Sequence, residues 1–141
     1  MFDDSDYNKD QKRRNEIVFG KNNNLKESGG IISFDDLTLP KLKKLVKEKF
    51  ADPDECQNSA PSIQEFVDWA DDAIKSDPSI KNNLFFTGYV VDLKRSDYRV
   101  SIEGLTIKGP TTVTVRTKFM DKFRQADDFN LAYDTLSCWY D

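Results

Sequence analysis

Catalysis near neutral pH needs side chains able to move protons, attack or coordinate, and this chain is short of them. It contains no histidine, which removes the usual general base, every Ser-His or Cys-His pair and most zinc and copper sites. Its two cysteines, Cys56 and Cys138, are too few for a thiolate cage and too far apart for CxxC redox chemistry. Two free thiols in a reducing compartment are the expectation. Neither GxGxxG nor GxxxxGK[ST] occurs, so the common phosphate-cradling loops are missing. Asp52-Pro53-Asp54 resembles the start of a calcium loop, yet Gln57 stands where its glycine belongs and Ile63 where its glutamate belongs. The acidic start at Asp3 fails in the same way, with Asn8 and Arg14 at those positions. No catalytic residue, cofactor or metal ligand is assigned, and the chain is expected not to be an enzyme.

The carboxylates carry more information. Residues 50–74 hold seven acids and no base, whereas residues 84–124 hold eight bases against four acids. The last seventeen residues add Asp127, Asp128, Asp134 and Asp141, again with no base. Within the first run, Glu65, Asp68 and Asp72 gather on one side of a helical pattern with Trp69 on the border. Carboxylates attract a cationic partner over a Debye length of ~8–10 Å, and an aromatic supplies contact area once water leaves. Glu65, Asp68, Trp69 and Asp72, with Asp127, Asp128 and Trp139, are therefore the candidate partner-binding residues. The partner they imply is a basic protein. A phosphate track is not expected, because Arg99, Arg116 and Lys118 are sparse for nucleic acid.

These residues must be positioned by regular elements. Leu39, Leu42, Val46 and Phe50 recur at helical spacing, with Thr38 as a candidate N-cap and Pro40 in the first turn, so residues 38–51 read as a helix. Ser62 and Glu65 form a capping box ahead of the stripe Ile63, Phe66, Val67, Ala70 and Ile74, and Asp77-Pro78 stops that helix. From Leu84 the period changes to two. Residues 84–94 and 98–107 read as strands joined at Arg95-Ser96-Asp97, with a bulge suggested at Gly104, where the apolar parity flips. Val113, Val115 and Phe119 alternate with Thr112, Thr114, Arg116 and Lys118, which predicts a further strand over 112–119. Residues 129–140 make a last strand or two short ones, with Leu136, Cys138 and Tyr140 on one side and Trp139 on the other. On that basis Trp139 is either covered by the N-terminal arm or available to a partner.

The expected fold class is α+β: two helices from the N-terminal half packed on a C-terminal antiparallel sheet of at least four strands, arranged as a meander. With 141 residues there is room for one core. Residues 31–141 are read as a single α+β domain. Residues 1–30, polar and carrying Asn22-Asn23-Asn24 and Gly29-Gly30, are read as a partly ordered arm in which Ile17-Val18-Phe19 adds a strand or packs on the body. Seventeen aromatics argue against wholesale disorder. No stretch is long and apolar enough to span a membrane, and the acidic first residues are unlike a signal peptide, so a cytoplasmic location is expected.

The segment Ala126-Asp127-Asp128-Phe129, the closing Leu136-Ser137-Cys138-Trp139-Tyr140-Asp141 and the alternating residues 113–119 before them together resemble the small immunity proteins that bacteria pair with secreted or contact-delivered toxins. The resemblance covers about the last 40 residues. It implies a cytoplasmic, non-enzymatic inhibitor that binds one cognate toxin and blocks its active site or substrate groove. Many such toxins are basic nucleases, which suits the acidic clusters. The alternative expectation is a small ligand-binding or enzymatic domain, with a pocket between a curved sheet and its helices lined by Phe86 and Tyr89.

Overall fold

The computed structural model describes residues 2–3, 5–21 and 29–141; Asn22-Asn23-Asn24 lie outside the described residues. The fold is α+β, with four α-helices and a five-stranded antiparallel sheet. Chain order is α1 (Gln11–Phe19), β1 (Ile31–Leu37), α2 (Leu39–Lys47), α3 (Ile63–Ser76), β2 (Leu84–Val91), β3 (Val100–Lys108), α4 (Val113–Phe123), β4 (Asp128–Ala132) and β5 (Thr135–Trp139). The sheet order is β1-β2-β3-β5-β4. The first three strands form a meander. The chain then crosses through α4 and returns as a hairpin, with β5 against β3 and β4 at the edge.

The helices neighbour one another in chain order and share one core with the sheet. Leu84, Phe86, Val90, Val100, Ile102, Leu105, Ile107 and Leu136 point into that core and are buried. On the helix side an aromatic cluster meets them. Phe66 of α3 packs edge-on to Phe86 at 6.1 Å and stacks on Phe123 at 5.7 Å, while Phe119 stacks on Phe129 at 5.5 Å. Rings of this size bury the largest apolar area available per residue, so they fix how α3 and α4 sit on the sheet.

The capping box at α3 forms as its spacing demands, with Glu65 N donating to Ser62 Oγ at 3.1 Å and Ser62 N to Glu65 Oε1 at 3.3 Å. Thr38 takes the N-cap position of α2 in extended backbone, but its side chain makes no capping bond. That helix ends before residue 51 because Lys49 turns left-handed at φ 64°. Phe50 N then bonds to Leu45 O, and Lys49 N to Val46 O.

One expectation for local structure is corrected, and one pair of alternatives is decided. Residues 112–119 are not a strand but the N-cap and first two turns of α4, with Thr112 Oγ1 accepting from Val115 N at 3.2 Å. The buried set is Val115, Phe119 and Phe123, a spacing of four, and Val113 is 80% exposed. Ile17-Val18-Phe19 packs on the body as the end of a helix rather than as a strand, with Ile17 and Val18 in the core. In α1, Arg14 is 1% exposed; its guanidinium donates to Val91 O at 2.6 Å and lies 5.6 Å over the Tyr98 ring. The described N-terminal residues 11–19 are thereby tied to the far end of β2.

Candidate functional site

The acidic side of α3 faces lysines of the two neighbouring helices. Glu65 accepts from Lys122 Nζ at 2.6 Å, and Asp72 from Lys118 Nζ at 2.8 Å, both lysines on α4. Asp71 accepts from Lys43 Nζ of α2 at 2.7 Å. Asp68 takes a neutral bond from Gln64 Nε2 at 2.9 Å. Four acids of that run thus lie on a helix set between two basic ones, and three of the four are answered by lysines within the chain. The Lys122 bond, aided by the Ser62 amide, holds the Glu65 carboxyl below the usual carboxylate range. Trp69 is 9% exposed. Its ring lies between Phe119 and Phe123, and its Nε1 donates to Lys118 O at 3.2 Å. It braces α3 on α4.

The groove beside the start of α3, about 640 Å³, is lined by Glu65, Asp121, Lys122, Arg124 and Tyr140 among others. Its charges are also matched, Glu65 with Lys122 and Asp121 with Arg124 at 3.3 Å. Burial pushes the Tyr140 hydroxyl up to about 12, so it stays protonated at neutral pH.

The face of the sheet turned away from the core is different. Strand alternation places Phe85, Thr87 and Tyr89 of β2 there, with Thr106 of β3, Ser137 and Trp139 of β5, and Ser33 of β1. All but the exposed Ser33 are half-buried. Cross-strand register joins Asp128 to Trp139, Trp139 to Gly104, and Gly104 to Thr87. The register then breaks in β1 between Phe34 and Leu37, so Asp35 and Asp36 fall beside that row. A second break, between the pairs Thr87–Gly104 and Gly88–Ile102, leaves Glu103 as the extra residue of β3. The bulge suggested at Gly104 therefore sits one residue earlier, and the parity flip was its signal. β2 is flanked by an irregularity on each side, and bulges bend and twist a sheet locally.

A depression of about 420 Å³ opens there, lined by Ser33, Phe34, Asp35, Thr87, Gly88 and Glu103. Gly88 and Gly104 permit the close strand approach. A Cβ on either would fall 2.0 Å from a backbone oxygen, of Ser101 and Cys138 respectively. Burial raises the Glu103 carboxyl above the usual range, against a lowering hydrogen bond from the Trp139 side chain. Among the described residues, Asp35, Glu103 and Asp128 enter none of the ion pairs that engage α3. One end of the face is closed by Gln57, whose Oε1 accepts from Tyr89 Oη at 2.8 Å and Ser101 Oγ at 3.0 Å. Arg99 lies 5.3 Å over the Tyr89 ring. At the other end Lys108 sits 5.1 Å over Phe85.

The candidate residues therefore divide between two places. Glu65, Asp68, Trp69 and Asp72 lie on α3, on the helix side. Asp128 and Trp139 are neighbours on the open sheet face, and Asp127, exposed, accepts from Asp141 N at 2.8 Å close by. Asp35 and Glu103 are not legible in the sequence pattern, because Asp35 and Asp36 interrupt the alternation of β1 and the parity flip in β3 points to Gly104 rather than to its neighbour. Phe86 and Tyr89 point to opposite faces of β2, so they line no common pocket; Phe86 is fully buried against Phe66. Both cysteines are free thiols. Cys56 is exposed, while Cys138 is buried on the core side of β5 and pushed by burial to about 12, which leaves it unreactive. Among the described residues no group of three or more Cys, Asp or Glu is arranged to hold a metal ion, and no helix is long and apolar enough to cross a membrane. Compared with protein-family models, curated proteins and solved structures, the chain matches none.

Proposed function

We propose that this chain is a non-enzymatic protein-binding module that captures a basic protein domain, in the manner of an immunity protein neutralising a cognate toxin in the cytoplasm. The docking surface we assign is the open sheet face with Asp127 and Asp128 at its edge, in place of the acidic side of α3. One contrast supports this choice. The α3 carboxylates are answered by Lys43, Lys118 and Lys122, whereas Asp35, Glu103 and Asp128 surround half-buried aromatics without such partners among the described residues. Paired charges have already spent their attraction within the molecule. Unpaired ones next to Trp139 and Thr87 supply both long-range steering and a desolvated contact.

The test is to mix the purified chain with the product of the neighbouring reading frame and follow association kinetics. A stoichiometric complex is expected, with an on-rate that falls steeply as salt rises. Asp128→Lys should slow association severalfold, while Asp72→Lys should leave the rate alone and lower stability by breaking its pair with Lys118. Multi-turnover conversion of a metabolite by the chain, abolished by a point change, would overturn the reading. An interface mapped to Val113, Met120 and Tyr133 would move it to the other exposed apolar side chains.

A further inference from the structure

We infer that the groove of about 640 Å³ between the start of α3 and the end of α4 binds a neutral polyhydroxylated molecule, a sugar ring in chemical class, with the Tyr140 hydroxyl as its contact at the floor. The volume falls within the ~300–1,000 Å³ of small-molecule sites. This site lies on the helix side and is independent of the open sheet face.

Tyr140 is the residue that calls for a ligand. It is 4% exposed and belongs to the core, and its backbone is held by Tyr140 N donating to Glu103 O at 2.8 Å. Among the described residues its hydroxyl has no hydrogen-bond partner. Nor is the hydroxyl sealed off. The fully enclosed side-chain atom without a partner is Thr111 Oγ1, so the small surface Tyr140 keeps includes its hydroxyl, on the groove it lines. Buried polar groups are almost always satisfied, and this one can be satisfied only from the groove. Protonated at neutral pH, it donates one hydrogen bond and accepts another.

Charge then selects the ligand. Glu65 with Lys122 at 2.6 Å and Asp121 with Arg124 at 3.3 Å leave the rim neutral. An anion would find no free amide at the start of α3, because Ile63 N, Gln64 N and Glu65 N already donate to Glu55 O, Pro53 O and Ser62 Oγ. The carboxylates of Glu65 and Asp127 also oppose ionisation of the Tyr140 hydroxyl, and they would oppose a bound anion in the same way. A cation would meet Lys122 and Arg124. What stays unused is a mixture of donors and acceptors: the remaining N–H groups of those two side chains, the Gln125 amide and the Ser59 hydroxyl. Hydroxyl groups donate and accept at once, so a polyol uses such a mixture best. Pro61 adds a short apolar wall for the C–H groups of a ring.

The probes are the methyl glycosides of glucose, galactose, mannose and N-acetylglucosamine, with glucuronate and glucosamine as charged counterparts. Each is titrated into the isotope-labelled full chain and read by amide chemical shifts. At least one neutral glycoside should give saturable shifts at Ser59, Glu65, Lys122, Gln125 and Tyr140, and should bind more tightly than either charged sugar. Tyr140→Phe should weaken it about tenfold, the scale of one hydrogen bond. The same variant should keep or raise the urea midpoint, because the hydroxyl has no bond within the fold to lose. Gln125→Ala, at an exposed position, should weaken binding severalfold with the midpoint unchanged. A disaccharide of the sugar that binds separates two sources of this chemistry: tighter binding than the single ring assigns the site to a glycan chain, equal binding to a free sugar. Absence of saturable shifts from every neutral glycoside, equal binding of a charged counterpart, or undiminished binding by Tyr140→Phe overturns the sugar site. A fall in the urea midpoint of Tyr140→Phe overturns it as well, since the hydroxyl would then serve the fold. So do shifts confined to the open sheet face.

Discussion

Lys49 is the residue whose backbone and side chain disagree most plainly. It occupies the left-handed position that ends α2, at φ 64°, and an L side chain there crowds its own carbonyl. The two bonds that close the helix, from Phe50 N and Lys49 N, need that conformation but nothing from the lysine side chain. Lys49→Gly should therefore raise stability by about 1 kcal/mol, less a few tenths for the extra freedom of the unfolded chain, measured as a shift in the urea midpoint. Gly104 behaves in the opposite way. A single added methyl would fall 2.0 Å from Cys138 O, in backbone that is paired on both sides. Gly104→Ala should cost more than ~3 kcal/mol and unfold a marginally stable chain at modest urea, far beyond the usual cost of one exposed methyl. A loss below 1 kcal/mol would mean that β5 can shift away from β3.

At the scale of the element, what the sequence reveals depends on whether a signal is local. The Ser62–Glu65 box and the stripe behind it specify α3 without help from the rest of the chain, and β2 and β3 announce themselves by alternation. α4 does not. Thr112, Thr114 and Thr117 with Val113 and Val115 favour extended backbone locally, and Val113, Val115 and Phe119 fit a period of two as well as they fit anything. The deciding residue is Phe123, which extends Val115 and Phe119 at steps of four and completes the aromatic cluster with Phe66 and Trp69. Tertiary packing overrides propensity here. β1 was illegible for another reason: Asp35 and Asp36 interrupt its alternation where the register slips, so its pattern never reaches four clean positions. The partner residues share this fate, since acids gathered by helical arithmetic on α3 meet lysines that only the fold brings near.

The helical state of α4 also explains Arg116. Instead of pointing from a strand to water, it donates to Leu131 O at 2.7 Å and Ala132 O at 2.9 Å in the edge strand β4. Unpaired carbonyls on an edge invite another chain to add a strand. Arg116→Ala should leave the fold intact, with a loss of about 1–2 kcal/mol, while increasing self-association in light scattering at high concentration. A variant as monodisperse as the parent would show that the short length of β4 is protection enough.

Across the whole molecule, two kinds of carboxylate respond to pH in opposite directions. Glu65 is held below the ordinary range by Lys122 and the Ser62 amide, so the unfolded chain binds its proton more readily than the folded one. Its stabilising contribution is complete above the unfolded value of about 4.3 and disappears as pH falls through the lower folded value. Glu103 is raised by burial beside Trp139, so the folded chain holds that proton longer, and its ionisation opposes folding at neutral pH. That penalty is absent below about 4.3 and complete once pH exceeds the raised folded value. Glu65→Gln should accordingly lower the urea midpoint at pH 7 and make progressively less difference toward pH 3. Glu103→Gln should keep or raise the midpoint at pH 7, again with no difference in acid. The contrast separates the two faces of the molecule, because a carboxylate committed to internal pairing stabilises the fold when charged, whereas one kept in a hollow without a cation does so only when an outside cation arrives. If both variants lost stability equally at pH 7, Glu103 would be a structural acid like Glu65, and only Asp35, Asp127 and Asp128 would be left on the open face to offer a partner.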